Sequence, residues 1–250
     1  MSILVKNWEY DVLGIDNYNI DGKFSAYYNF IKLNHNKIEG DIVEVGVYQG
    51  KSLLATALLL KEIRSKKIVY GFDSFSGFPP ILSKNDKLSK FKELYDQNLI
   101  TKSHLDDHNK LVDYNQLISK NRINELNISS SNDFSDANLN LLKEKIKYLN
   151  LDNIILVEGD FDKTMTKDFS KKNKFMASMF DCDLYESYKI SFEFIWPKLV
   201  DGGLVFLDEY YSLKFPGAKI ASDEFLNSKG LKAEMLELKK NEFERWIIKK

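Results

Sequence analysis

A single cysteine, Cys182, in 250 residues excludes any disulfide within the chain. Charge of one sign is missing as well. With 36 basic against 37 acidic residues the formal charge is −1, which leaves no electrostatic footprint for nucleic acid or an anionic membrane. No apolar run reaches the roughly 18 residues that a membrane-spanning helix needs. Met1 to Trp8 also lacks the layout of a signal peptide, so the expectation is a cytoplasmic protein. Internal repeats and low-complexity tracts are absent. What is present, 44% hydrophobic residues, is ample for the core of one α/β domain with additions.

The stretch from Asp41 to Leu53 carries the strongest local signal. Ile42, Val43 and Val45 are the β-branched run of a buried strand, Gly46 and Gly50 relieve a turn, and a helix follows from Lys51. A ligand at that turn would meet a close-approaching backbone and the free N–H groups of a helix start. The spacing is E-x-G-x-x-x-G, with one glycine where the dinucleotide fingerprint G-x-G-x-x-G has two. Glu44 would repel a phosphate and suits an ammonium or a hydroxyl, so a cationic, phosphate-free ligand fits better. A second buried strand, Lys67 to Asp73, runs into Ser74, Phe75 and Gly77. Asp73 stands where the ribose-binding acid of a βαβ unit belongs.

The rest of the chain alternates. Helix 135–149, strand 153–158, a short helix near 164–171, strand 175–181, helix 186–199, strand 203–208 and helix 217–228 are expected in that order. Alternation of this kind predicts a parallel, doubly wound sheet with helices on both faces. Leu231–Leu238 and Glu242–Ile248 are joined by three residues, too few for a crossover, and must pair antiparallel. Seven strands with an antiparallel last one match a Rossmann-like class I methyltransferase. Residues 1–38, with aromatics scattered among polar residues, read as a helical cover over the cleft or a dimer contact. The main domain then spans 39–250. Its excursion at about 80–131 holds His104 and His108, is too long for an ordinary loop, and reads as a lid with some helix.

Asp181 and Asp183 close the fourth strand, and Asp208 and Glu209 the fifth. Neighbouring parallel strands bring their carboxyl ends together at the ligand crevice, so these acids converge. Uncompensated they would repel, and an oxygen-only donor set without Cys or His pairs selects a hard ion, Mg²⁺ foremost.

Taken with these acids, the chain resembles the macrocin O-methyltransferase family of S-adenosylmethionine-dependent, Mg²⁺-dependent enzymes that methylate sugar hydroxyls. Similar stretches run from about 40 to 225: Glu44–Ser52, Asp73–Pro79, Asp181–Ser187, Trp196–Gly203, Asp208–Tyr210 and Gly217–Asp223. The resemblance implies cofactor contacts at Glu44, Val45, Gly46, Gly50, Ser52, Asp73, Ser74, Phe75 and Asp181. The looser match at Gly159, Asp160 and Phe161 adds the adenine side. It implies metal ligands at Asp181, Asp208 and Glu209, a homodimer, and as acceptor a sugar or a nucleotide-linked glycan precursor. Asp183 is the preferred base and His108 the second choice, since the lysine base of catechol-type relatives is replaced by Leu184. Cys182 and Glu209 depart from the family's usual Gly and Asp. A phosphorylated decoration such as a phosphoramidate is an open alternative as acceptor. So are two other functions, a nicotinamide-dependent sugar dehydrogenase or epimerase and a non-catalytic binding protein of the same fold. The dehydrogenase is disfavoured by the missing glycine and by the lack of a Tyr-x-x-x-Lys pair.

Overall fold

The computed structural model describes residues 4–166, 173–236 and 244–250. Two short helices, α1 (Asn7–Leu13) and α2 (Ser25–Asn34), precede β1 (Asp41–Val45), α3 (Lys51–Glu62) and β2 (Val69–Asp73). The excursion that follows contains α4 (Lys90–Asp96) and α5 (Lys102–Ile118). Then come α6 (Leu139–Tyr148), β3 (Ile154–Glu158), α7 (Phe161–Thr164), β4 (Phe175–Phe180), α8 (Tyr185–Ile195), β5 (Leu199–Leu207), α9 (Pro216–Lys229), β6 (Glu234–Met235) and β7 (Trp246–Lys249).

The sheet order is β3-β2-β1-β4-β5-β7-β6. β1 to β5 run parallel, and β7 lies antiparallel between β5 and β6. The order reverses between β1 and β4, so their carboxyl ends open the crevice where ligands bind in such sheets.

Strand pleating decides which core each residue joins. Ile42 enters the cluster of α2, α3 and the N-terminal aromatics, whereas Val43 and Val45 enter that of α8 and α9. Tyr10, Tyr18, Tyr27, Tyr28 and Ile31 share their cluster with Leu53, Leu54 and Leu58 of α3, so the N-terminal helices pack into the same core as the sheet. The excursion builds a smaller core of its own from Phe91, Leu94, Ile100 and Leu105, against Tyr211 and Ile220.

Four boundaries differ from the sequence expectation. The helix expected near 164–171 occupies Phe161–Thr164, because Lys163 and Thr164 donate backbone N–H groups to the Asp160 carbonyl and start the turn earlier. Residues 167–171 of that expectation lie outside the described residues. The α8 helix stops at Ile195 and tightens into a 3₁₀ turn at Trp196–Lys198, since Pro197 lacks the N–H that would continue it. β5, expected at 203–208, begins at Leu199, because Lys250 hydrogen-bonds both Gly202 and Gly203. Of the expected closing pair, Glu234–Met235 and Trp246–Lys249 are strands, and the connection at 237–243 lies outside the described residues.

Candidate active site

The crevice holds a cavity of about 930 Å³. Its first wall is the turn after β1. Gly46 adopts φ +86°, and a Cβ there would stand 1.9 Å from the Asp181 carbonyl oxygen. A Cβ at Gly50 would meet Leu142 Cδ1 at 2.4 Å. Both glycines are thus required by the chain's own packing, by β4 and α6 respectively. Asp73, at the end of β2, braces the same turn. Its Oδ2 accepts the N–H groups of Val47 and Tyr48, each at 2.7 Å, and its Oδ1 accepts that of Phe75 at 2.6 Å.

The opposite wall comes from the ends of β4 and β5. Backbone bonds from Asp181 to Val45 and from Asp208 to Phe180 carry the sheet register into the loops and set the acids side by side. The Tyr188 hydroxyl locks the arrangement, donating to the Phe180 carbonyl and accepting the Glu209 N–H, both at 3.0 Å. One carboxylate oxygen from each of Asp181, Asp208 and Glu209 falls within 4.8 Å of the others. Among the described residues, none donates a hydrogen bond to the buried Oδ1 of Asp208. Such an oxygen-only set with a spare lone pair fits a hard divalent cation.

A side chain supplies positive charge to the cluster. Lys23 Nζ lies 2.5 Å from Asp208 Oδ2, and Arg245 Nε lies 3.7 Å from Oδ1. Burial pushes the Asp208 carboxyl up, but these two cations outweigh it and hold the group below its ordinary range. Burial, with Asp208 next to it, raises Asp181 well above the usual carboxylate range. Burial and then Glu209 do the same to Asp183, and burial with Asp208 brings Glu209 to about 7. Burial opposes the charge on Lys23, yet Asp181, Asp208 and Glu209 together raise its pKa. Burial and mutual repulsion thus favour protons on Asp181, Asp183 and Glu209, while Lys23 and Arg245 keep Asp208 ionised.

Of the site residues expected from sequence, Gly46, Ser52, Asp73, Ser74, Asp160, Phe161, Asp181 and Asp183 line the cavity. Others do not. Glu44 has no exposed surface, since the pleat of β1 turns it toward α3, where Oε1 accepts the Ser52 hydroxyl at 2.8 Å. It connects to the cavity through Ser52. Val45 points into the opposite core, Gly50 is covered by Leu142, and Phe75 packs against the α3 side. Gly159 spends its N–H on the Asp73 carbonyl. His108 stands apart from the acids. Its ring stacks on Phe91 at 3.9 Å and its Nδ1 bonds the Leu213 carbonyl at 2.8 Å, while His104 Nε2 bonds the Ser212 carbonyl at 3.1 Å. The two histidines fasten the excursion to the loop after β5, and burial lowers both pKa values.

Sequence reasoning did not single out Asp16, Lys23, Phe24, Phe78 and Phe134, which also line the cavity. For Lys23 there was no signal to find: it is one of 36 basic residues and lies 185 positions before its partner Asp208.

A family model described as macrocin-O-methyltransferase matches residues 29–109 and 113–242. No curated protein matches the chain. Among solved structures, the O-methyltransferase NovP covers 90% of this chain and 78% of its own at 17% identity, with a TM-score of 0.64. CalS11, a calicheamicin methyltransferase, covers 97% and 80% at 20% identity, with a TM-score of 0.61. An O-methyltransferase from Bacillus cereus in complex with SAH covers 99% and 93% at 11% identity, with a TM-score of 0.52. These likenesses establish the class I methyltransferase fold.

Proposed function

Because the chain belongs to the macrocin-O-methyltransferase family, and is by that membership an S-adenosylmethionine-dependent methyltransferase, we propose that it methylates a hydroxyl of a neutral sugar with a divalent ion at Asp181, Asp208 and Glu209. The convergence of these three acids, of which Asp181 lines the same cavity as Ser52, Asp73 and Ser74, carries the reading. When bound, S-adenosylmethionine supplies the methyl group, and Mg²⁺ supplies Lewis acidity that eases loss of the acceptor's hydroxyl proton.

The chain's own residues do the rest. Asp73 orients the turn after β1 and presents its carboxylate toward ribose hydroxyls. Asp183 takes the acceptor proton. It lines the cavity, and burial with Glu209 raises its pKa, so its ionised form, the smaller fraction near neutral pH, is a stronger base than an exposed aspartate. Phe78, Pro79 and Phe134 wall the mouth with apolar surface and exclude water. The acceptor's charge follows from the lining. Asp16, Asp73, Asp160, Asp162, Asp181, Asp183 and Glu186 face Lys23 and Lys51, an excess of carboxylates that disfavours a phosphorylated decoration and favours a neutral sugar. One solved structure similar to this chain is described as a TDP-rhamnose 3'-O-methyltransferase; at 22% identity it supports the sugar class by analogy only.

The test is direct. Full-length protein should bind S-adenosylhomocysteine and transfer a methyl group from S-adenosylmethionine to members of a panel of free and nucleotide-linked sugars, with activity lost on chelation. Failure to bind S-adenosylhomocysteine would overturn the cofactor assignment, and chelator-insensitive turnover would remove the metal from the reading.

A further inference from the structure

The cation at the carboxylate cluster is part of the chain. Lys23 reaches Asp208 Oδ2 at 2.5 Å from a segment that precedes the sheet, and its charge also acts on Asp181 and Glu209. Lys23 and Asp181 line the cavity, whereas Asp208 and Glu209 do not, so Lys23 joins the cavity to Asp208. On its far side Asp208 faces Arg245. Both oxygens of this carboxylate are therefore flanked by cations. A Mg²⁺ ion at the usual distance of about 2.1 Å from Asp208 Oδ2 would be placed against the ammonium, cation beside cation in a buried site.

The anchoring of Lys23 leaves its side chain free to leave. The neighbouring Phe24 is buried and packs edge-on against Phe206 at 5.6 Å, which fixes the backbone of the segment to the sheet. The Lys23 side chain itself keeps 41% of its surface exposed. Its flexible stem can swing to solvent, giving up the cation–π contact of Nζ over the Phe24 ring at 4.6 Å while Phe24 stays on Phe206.

We propose that Lys23 is an internal competitor of the divalent ion: its ammonium occupies the Asp181–Asp208–Glu209 cluster in the metal-free protein and is expelled when the metal binds. Metal occupancy and the position of Lys23 are then mutually exclusive, and the metal affinity of this chain is set in part by a residue of its N-terminal segment. The inference rests on the metal part of the proposed function. It does not depend on which sugar is methylated.

Two measurements on the full chain, each with the metal alone, test it. Isothermal titration with Mg²⁺ should give about tenfold tighter binding for Lys23→Met than for the native protein, since one ammonium no longer has to be displaced. Equal or weaker binding by the variant would overturn the proposal. Amine acetylation followed by mass spectrometry should show Lys23 protected in the metal-free protein, with its reaction rate rising several-fold as Mg²⁺ saturates. A rate that stays level or falls would overturn it as well. Absence of Mg²⁺ binding in both proteins would sink the competition together with the metal site. Retained S-adenosylhomocysteine binding would in that case leave the methyltransferase assignment standing.

Discussion

The hydroxyl of Tyr188 accepts the backbone N–H of Glu209 at 3.0 Å, and through this bond a residue of α8 holds the acidic end of β5. The same hydroxyl donates to the Phe180 carbonyl on β4, so one buried oxygen spans the two strands that present the acids. Tyr188→Phe would leave the Glu209 N–H unmatched, while the Phe180 carbonyl keeps the Asp208 N–H, at a cost of about 1–3 kcal/mol. Thermal denaturation should show the loss, and Mg²⁺ titration should show weaker binding. A variant with native melting temperature and native metal affinity would mean that the sheet alone places Glu209.

Asp73 accepts three backbone N–H groups, from Val47, Tyr48 and Phe75. Asp73→Ala should therefore destabilise the protein by about 2–4 kcal/mol, because bonds to a charged acceptor are the stronger ones and three donors lose theirs. Asp73→Asn keeps an oxygen that can accept from the turn. It should recover part of the stability while S-adenosylhomocysteine binding stays weak, a separation that calorimetry and denaturation together can read. Equal recovery of both properties would assign Asp73 to scaffolding alone.

Burial of Glu44 pushes its pKa from 4.5 up to about 8. The folded state therefore holds a proton that the unfolded chain releases. Its contribution to stability is complete below pH 4.5 and is lost as pH rises through about 8. Between those values each pH unit costs up to about 1.4 kcal/mol. Glu44→Gln retains an acceptor for the Ser52 hydroxyl and has nothing to ionise. Melting temperatures measured from pH 5 to pH 9 should fall more steeply for the native protein than for the variant. Parallel curves would show that Glu44 is not protonated in the fold.

Asp86 fastens the long excursion to α8. Its Oδ1 accepts the Tyr185 N–H at 2.7 Å and its Oδ2 the Ser83 N–H at 3.1 Å, in a buried position. Asp86→Ala should free this end of the excursion more than it lowers global stability, because the sheet core is untouched. Limited proteolysis should cut within residues 84–100 faster in the variant, with a melting temperature only a few degrees lower. Unchanged cleavage would locate the tether elsewhere, at the bonds of His104 and His108 to the loop after β5.

Much of this architecture was legible because its causes are local. The β-branched runs at Ile42–Val45 and the apolar stretch of α3 declare a buried strand and helix. The short link expected between the last two segments leaves no room for a crossover, and Glu234–Met235 does pair antiparallel with Trp246–Ile247. The start of β5 has a different cause, a partner distant in sequence. Expected at 203–208, the strand begins at Leu199, and Lys250 pairs with Gly202 and Gly203. His108 read as a base until Phe91 and the Leu213 carbonyl claimed its ring.

The sequence by itself determined the order of strands and helices, the two turns after β1 and β2, and the identity of the acids at the ends of β4 and β5. Those follow from periodicity, glycine and strand alternation, all of which act over a few residues. Only the tertiary structure decided which of those groups meet the cavity and what neutralises them. The pleat sends Glu44 behind Ser52, and Phe24 delivers Lys23 to Asp208 across 185 positions. No local pattern encodes such contacts, because they exist only once the two cores have packed and the low-dielectric cleft makes an unpaired carboxylate costly.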